Sequence, residues 1–576
     1  MKTKLCLLMA PVLLAQTACE ENAQFTVATT EQPVMIDLQD VTAESGVDFT
    51  STSGRLPTTE ILEVNGGGIA LFDYDRDGDP DLFIANGATL DSPQVGPGSR
   101  LFRNDSGPSH IRFTDVTEQA GINLYRWAMG AAAGDYDGDG FIDLHVSCWG
   151  QNALLRNMGD GSFKEITQEA GLSDDAWSTS SAFGDIDADG DLDLYVVNYL
   201  QFDPDNPPEA ATYKGQRVLA GPHGLPAQSD RLWINQGDGS FLDAVSLGII
   251  DPVEPAYGLN VIILDFDADG RQDILVGNDS MANALYRQAD TPEESGRMIN
   301  LGHDSGLATN MHGGEQATMG MAVADLDGDA VPELFTTNFS ADTNTLHQSM
   351  GEANWVDRTR QYGLGLRSRP WLGWTTGFMD LDGDEDEDLI ILNGHVYPDA
   401  TMDTMDSNYE QPPQVLLQED GRFLPLAPKP GDTWLGQPRR DRAGAFGDLD
   451  GDGDLDLVTA ELNGPVRIIG NFTSLPPQRQ ATIIHLLDDR PDVQNTTGLG
   501  ASIQFIKDEN KRKTIRWIHS GGAFQSANDA AAHFTLPAAT EQWEFHVTWP
   551  DGVITRHKTS PAASLTLKAS EAMEVE

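Results

Sequence analysis

Seven times along this chain, a run of nine residues places carboxylates at its first, third, fifth and ninth positions, and an apolar strand-like segment follows at once. The first copy is Asp73–Tyr74–Asp75–Arg76–Asp77–Gly78–Asp79–Pro80–Asp81, with Leu82, Phe83 and Ile84 behind it. The others begin at Asp135, Asp185, Asp265, Asp325, Asp380 and Asp448. Four carboxylates crowded into one turn repel one another unless a cation compensates them, and alternating oxygen ligands suit Ca²⁺ better than Mg²⁺. The expected ligands are Asp73, Asp75, Asp77 and Asp81; Asp135, Asp137, Asp139 and Asp143; Asp185, Asp187, Asp189 and Asp193; Asp265, Asp267, Asp269 and Asp273; Asp325, Asp327, Asp329 and Glu333; Asp380, Asp382, Asp384 and Asp388; and Asp448, Asp450, Asp452 and Asp456. Up to seven structural Ca²⁺ ions are expected. Position 6 is glycine in five copies; Ala330 and Glu385 replace it in the fifth and sixth, where weaker binding is expected.

Loop starts 50 to 80 residues apart fit a unit of four short strands, and seven such units fit an all-β, seven-bladed propeller spanning residues 36–471. Strand A precedes each loop and is rich in small residues (Gly134, Gly184, Gly377, Gly447), as a crowded innermost strand requires. Strand B follows the loop, as in DLFIAN and DLYVVN. Strand C reads LFRN or LLRN, and a Gly-Asp-Gly turn leads to strand D, read over Phe113–Thr117 and Phe163–Thr167. The last loop is followed only by strand B and a short strand C (Val466–Asn471). A strand-D pattern stands alone at Ile36–Thr42, so the N-terminal strand is expected to complete the last blade and close the ring. In antiparallel blades all A–B loops share one rim. The long insertions Gly87–Arg100, Tyr199–Arg231 and Gly394–Pro413 follow strand B and must emerge on the opposite face, where recognition or chemistry is expected.

After residue 471 the motif stops. A linker over 472–480 leads into alternating strands (Ala481–Leu487, Ala501–Ile506, Lys513–His519, His533–Leu536, Trp543–Trp549), read as a separate, small β-sandwich-like domain over 481–576.

The seven loops, together with Asn495–Thr496–Thr497–Gly498–Leu499–Gly500–Ala501, Ser520–Gly521–Gly522, His533–Phe534 and Trp549–Pro550–Asp551–Gly552, resemble the cartilage acidic protein family. Its bacterial members pair an FG-GAP/VCBS propeller with a C-terminal ASPIC/UnbV domain. Tyr213–Lys214–Gly215–Gln216, Gly221–Pro222–His223–Gly224–Leu225 and Asn393–Gly394–His395–Val396–Tyr397–Pro398 are also similar to bacterial members. The resemblance implies an extracellular or envelope location, Ca²⁺ binding and an interaction role.

The N-terminus reads as an export signal over residues 1–19: Lys2 and Lys4 precede an apolar run, Leu5–Leu14, too short to span a bilayer. Cys19 after Thr17 and Ala18 resembles a lipoprotein acceptor, although Gln16 departs from that pattern and cleavage near Ala18 is the alternative. Residues 20–35 read as a linker. The formal charge of −54 excludes nucleic acid as the main partner, and any membrane contact is expected only through the lipid anchor. Cys148, the one thiol outside the signal region, is expected to be buried and inert.

His223, His395 and Tyr397 are weak catalytic candidates on the face opposite the ion loops; the competing reading has them bonding loop backbone. Asparagines at strand-B ends (Asn86, Asn198, Asn278, Asn338, Asn393) are expected to hold the rim loops. No nucleophile elbow, phosphate loop or zinc motif occurs in the sequence. Two functions remain open. One is a Ca²⁺-stabilised binding or adhesion protein for a protein or polysaccharide ligand. The other is a propeller lyase or hydrolase using His223, His395 and Tyr397.

Overall fold

The computed structural model describes residues 34–108, 110–289, 296–491, 493–506 and 514–575; the expected export signal, Cys19 and most of the N-terminal linker lie outside them. Seven four-stranded antiparallel arrays, each in the order A-B-C-D, carry the seven acidic loops between strands A and B. Their A strands are Ile69–Phe72, Ala128–Gly134, Ser178–Gly184, Gly258–Leu264, Met321–Ala324, Gly373–Met379 and Asp441–Gly447. Each A strand touches the next, and the last touches the first, so the blades form a closed ring. Closure is as expected: Leu38–Asp40 pairs antiparallel with Val466–Asn471, Leu38 opposite Asn471 and Asp40 opposite Ile469.

The small residues of strand A have a direct cause. A Cβ on Gly134 would lie 2.9 Å from the Phe183 ring, one on Gly184 2.6 Å from Ile263, and one on Gly377 2.5 Å from Phe446. Each glycine therefore receives a large side chain from the next blade. Strand D is shorter than expected, Phe113–Asp115 and Phe163–Glu165. The threonine at the end of each motif leaves the ladder, and its hydroxyl accepts the strand-C amide instead: Leu101 N–H to Thr117 Oγ1 and Leu154 N–H to Thr167 Oγ1, both 2.9 Å. Cys148 is buried, and burial pushes its thiol up to about 12.

The C-terminal part is two facing sheets. Arg479–Leu487 lies between Ala531–Pro537, antiparallel, and Ser564–Lys568, parallel. The other sheet runs in the order Thr514–Trp517, Ser502–Phe505, Trp543–Thr548, Ile554–Thr559, Glu574–Val575. Phe534, Phe545, Trp543, Trp549, Ile503 and Leu567 fill the space between them.

This part is not separate, as the strand pattern suggested. It sits on the ion-loop face and sends the segment from Ser520 to Asp529 down the propeller axis. Ser520 and Gly521 pair with Ile263 and Ile262 of blade 4. Ala527 exchanges backbone bonds with blade 1, its N–H donating to Ile69 O (2.8 Å) and its carbonyl accepting from Leu71 N–H (3.0 Å). The Gln525 carbonyl accepts from Ala131 of blade 2, the Gly522 carbonyl from Met321 of blade 5, and Asn528 Oδ1 from Phe446 N–H of blade 7. The physical reason is the inner strands themselves: the free edge of strand A presents unpaired amides to the axis, and a threaded segment satisfies them. Gly521 (φ 83°) is required here, because a Cβ would collide with the Val261 carbonyl.

Candidate metal loops and axial cavity

Each acidic loop is wound so that its own amides aim the first carboxylate inward. In the first copy, Asp77 N–H and Gly78 N–H donate to Asp73 Oδ1 and Oδ2 at 3.1 and 2.9 Å. Asp135 and Asp265 repeat the arrangement. The ninth carboxylate is clamped from two sides: Asp81 Oδ2 accepts from Tyr74 N–H (2.9 Å) and Oδ1 from Asn104 N–H of strand C (2.8 Å). The winding puts positions 4 and 6 in the left-handed region in every copy, as at Arg76 and Gly78 (φ 65° and 97°) and at Gly383 and Glu385 (76° each). Position 4 was invisible in the sequence because Arg76, Ala188 and Ala268 occupy it as readily as glycine does.

Ala330 holds φ 70° with a side chain. Ala330→Gly is therefore expected to stabilise the protein by about 1 kcal/mol, read as a higher denaturation midpoint. A neutral or lower midpoint would show that this loop relaxes out of the left-handed turn.

The donor set fits a cation. Ligand oxygens of Asp73, Asp75 and Asp81 lie within 4.8 Å of one another, and those of Asp135, Asp137 and Asp143 do likewise. In four loops the carboxylate at position 3 leaves an oxygen buried with no hydrogen-bond donor: Oδ1 of Asp75, Asp137, Asp267 and Asp382. A buried acceptor without a donor is costly, and a hard cation in each of these loops would satisfy it together with the neighbouring carboxylates. Burial pushes Asp73 up to about 6, Asp81 and Glu333 to about 8 and Asp388 to about 9. Together these residues would hold an ion that supplies positive charge to the ring of A–B loops.

The loops are not equivalent. Buried Arg287 of strand C reaches Asp267, Asp269 (3.2 Å) and Asp273 (3.4 Å) in the fourth. Arg156 reaches Asp137 (2.6 Å) and Asp139 (3.2 Å) in the second. An arginine that compensates the carboxylates competes with a bound ion, a contribution that the glycine count at position 6 overlooked. The C-terminal sheets lean on the same loops. Thr496 Oγ1 donates to Asp135 Oδ2 (2.5 Å), Gln494 and Asn495 N–H donate to Gly190 O (2.9 and 3.0 Å), Arg479 pairs with Glu385, and Arg516 pairs with Glu387.

The opposite face carries a cavity of about 510 Å³ at the axis. Loops after strand B build it, and the strand-end asparagines hold those loops as expected: Nδ2 of Asn86, Asn198, Asn278, Asn338 and Asn393 donates to the carbonyls of Gly98, Ser229, Ala282, Thr343 and Pro412. In blade 3, Ala211–Tyr213 and Gln216–Val218 form a hairpin turned at Lys214 and Gly215, both at positive φ. Lys214 Nζ then donates to Met405 O (2.7 Å) and pairs with Asp406 (3.1 Å), joining the long loops of blades 3 and 6.

His223 and Tyr397 both line this cavity, but His395 does not. His395 is fully buried beneath them; its Nδ1 accepts from Tyr397 N–H (3.1 Å), so its Nε2 carries the hydrogen and donates to Ser340 Oγ (2.9 Å). Burial, with Arg442 and Lys214 nearby, lowers its pKa to about 3. The ring is a neutral fastener between two loops. Sequence reasoning missed Asp279, which lines the cavity and accepts from Tyr199 OH at 2.7 Å; its only signal was its place directly after the strand-end Asn278. Trp374 forms another wall, donating from Nε1 to Gly394 O (2.7 Å), and Phe524 of the axial segment packs against it with ring centroids 4.8 Å apart.

An acidic-loop propeller capped by a second β unit defines the class, and the comparisons agree. FG-GAP-like repeats match residues 73–146, 135–196, 265–336 and 380–459, and the ASPIC and UnbV family matches 492–574. The chain carries FG-GAP-like repeats followed by an ASPIC/UnbV domain. Human cartilage acidic protein 1 is 30% identical over 168 residues, and the mouse protein 29%. The human match takes in 28% of this chain and 24% of that protein, so the chain spans about a quarter of the length of the curated relatives it matches. Among solved structures, an Agrocybe aegerita lectin described as recognising non-reducing terminal N-acetylglucosamine is 14% identical, with a TM-score of 0.36 over 71% of this chain and 87% of its own. BBS1N in complex with ARL6DN is 12% identical, with a TM-score of 0.39 over 76% and 96%. Scores this low carry no functional inference.

Proposed function

We propose that this is an exported, Ca²⁺-stabilised binding protein that receives a saccharide or protein ligand in the axial cavity opposite the acidic loops. The observation that carries the reading is the unequal treatment of the two faces. The C-terminal sheets cover the acidic loops, whereas the other face keeps an open cavity walled by Tyr199, Tyr213, Trp374 and Tyr397. Aromatic walls with a few convergent polar groups suit recognition of a small or protruding ligand. The neutral, buried His395 supports binding over the lyase or hydrolase alternative, since it removes one of the three acid–base residues on which that alternative was built. Ion charges in the loops would stiffen the scaffold, and a lipid at Cys19 would hold it at the envelope. Among the described residues no helix is long and apolar enough to cross a membrane.

The test is a panel of envelope polysaccharides and oligosaccharides, read with the full chain and with the Tyr213→Ala/Tyr397→Ala double variant. Glycan binding by the full chain and its loss in the variant are expected. Binding left intact in the variant would move the ligand site elsewhere.

A further inference from the structure

We infer that the axial cavity selects a small, saccharide-like ligand bearing a protonated amine, seated between Asp279 and the aromatic wall. The inference rests on the binding role proposed above and narrows it to one chemical class. Tyr213, Phe339 and Tyr397 form a contiguous aromatic surface, with ring centroids 5.5 Å (Tyr213–Tyr397), 5.9 Å (Tyr213–Phe339) and 6.1 Å (Phe339–Tyr397) apart. Such faces accept the C–H side of a sugar ring and attract a cation. The acidic groups lining the cavity are Asp279, Glu315 and Asp342, and neither lysine nor arginine is among the lining residues.

Asp279 is oriented but not neutralised. Its Oδ2 accepts from Tyr199 OH (2.7 Å) and its Oδ1 from Ser280 Oγ (2.9 Å). Both donors are hydroxyls, which fix the carboxylate without bringing a counter-charge to it. Burial raises the Asp279 pKa, opposed by the Tyr199 and Ser280 hydroxyls and then by His223, and an ammonium seated beside it would favour the ionised form. Two cations stand close to the walls: Lys214, its Nζ 5.7 Å from the Tyr213 ring centroid, is held by Met405 O and Asp406, and Arg442 lies behind Trp374 with its guanidinium carbon 4.2 Å from the ring centroid. The second of them, Arg442, is the more deeply buried. It is occupied by the carbonyls of Val64, Gly394, Asp441 and His395. Field lines from the three carboxylates are focused by low-dielectric walls, so an amine is drawn in and a uronate is repelled. This chemistry also disfavours the anionic substrates that a uronate-cleaving lyase would take.

The experiment is calorimetric titration of the full chain, in calcium, with three matched tetramers: glucosamine with its amines protonated, N-acetylglucosamine and galacturonate. The glucosamine tetramer is expected to bind about tenfold tighter than the acetylated one, a preference that shrinks with salt, and galacturonate is expected not to bind. Asp279→Asn, checked for an unchanged melting curve, should bring the affinity ratio of the glucosamine to the acetylated tetramer from about tenfold to about one. Equal binding of the first two, a preference for galacturonate, or no binding of the amine tetramer overturns the inference. The binding role itself falls only if the wider glycan panel also fails.

Discussion

Chelation with EGTA is expected to lower the melting temperature by on the order of 10 °C relative to the calcium-loaded protein at equal ionic strength. Each site that binds only the folded chain adds about 3 kcal/mol when calcium stands a hundredfold above its dissociation constant, and several sites act together. Without ions, the carboxylates of each loop face one another, offset only in part by backbone amides and by Arg156 and Thr496 in the second loop, Arg287 in the fourth and Gln348 in the fifth. The effect has a pH signature. Asp81 and Glu333, pushed up to about 8 by burial, bind protons more tightly folded than unfolded in the ion-free chain. Their contribution is full below the ordinary carboxylate value and is lost as pH rises through about 8. The chelated protein should therefore be more stable at mildly acidic than at mildly alkaline pH, and calcium should remove that slope. Melting curves that overlay with and without EGTA would contradict structural metal binding.

The second large effect is expected at the axis. Gly68 sits just before strand A of blade 1, and a Cβ there would collide with the Gln525 carbonyl. Its φ is not in the left-handed region, so backbone strain is not the cost of an alanine at this position; the axial segment is. Gly68→Ala should push Gln525 away, break the Ala131–Gln525 bond and strain the Ala527 pairing with blade 1, costing about 3 kcal/mol. Phe524→Ala removes a fully buried ring from its stack on Trp374 and should cost about 3–5 kcal/mol. Both act through one segment, so the double variant should cost less than the two single costs combined. Strict additivity, or a neutral Gly68→Ala, would show that the segment is not the common element.

Much of this architecture was legible because it is local and repeated. The carboxylate spacing, the strand after each loop and the orphan strand pattern at Ile36–Thr42 are written in consecutive residues, and from them the ring, its closure and its two faces follow. What was hidden depends on distant partners. Gly521 meets Ile262 across nearly half the chain, and nothing near either residue announces it. Arg287 belongs to strand C, yet it decides the electrostatics of the loop two strands earlier. His395 looked reactive by type and setting, but Ser340 and the Tyr397 amide occupy both of its nitrogens. Asp279 carries no local pattern of its own; only the fold brings Tyr199 to it.

The division of faces is most directly tested by hydrogen exchange on the full chain before and after chelation. The account predicts that exchange rises first in the A–B loops and in the axial segment 519–529, with the loops 199–231 and 394–413 responding later and less. A first response in those opposite-face loops, with the axial segment still protected, would contradict it.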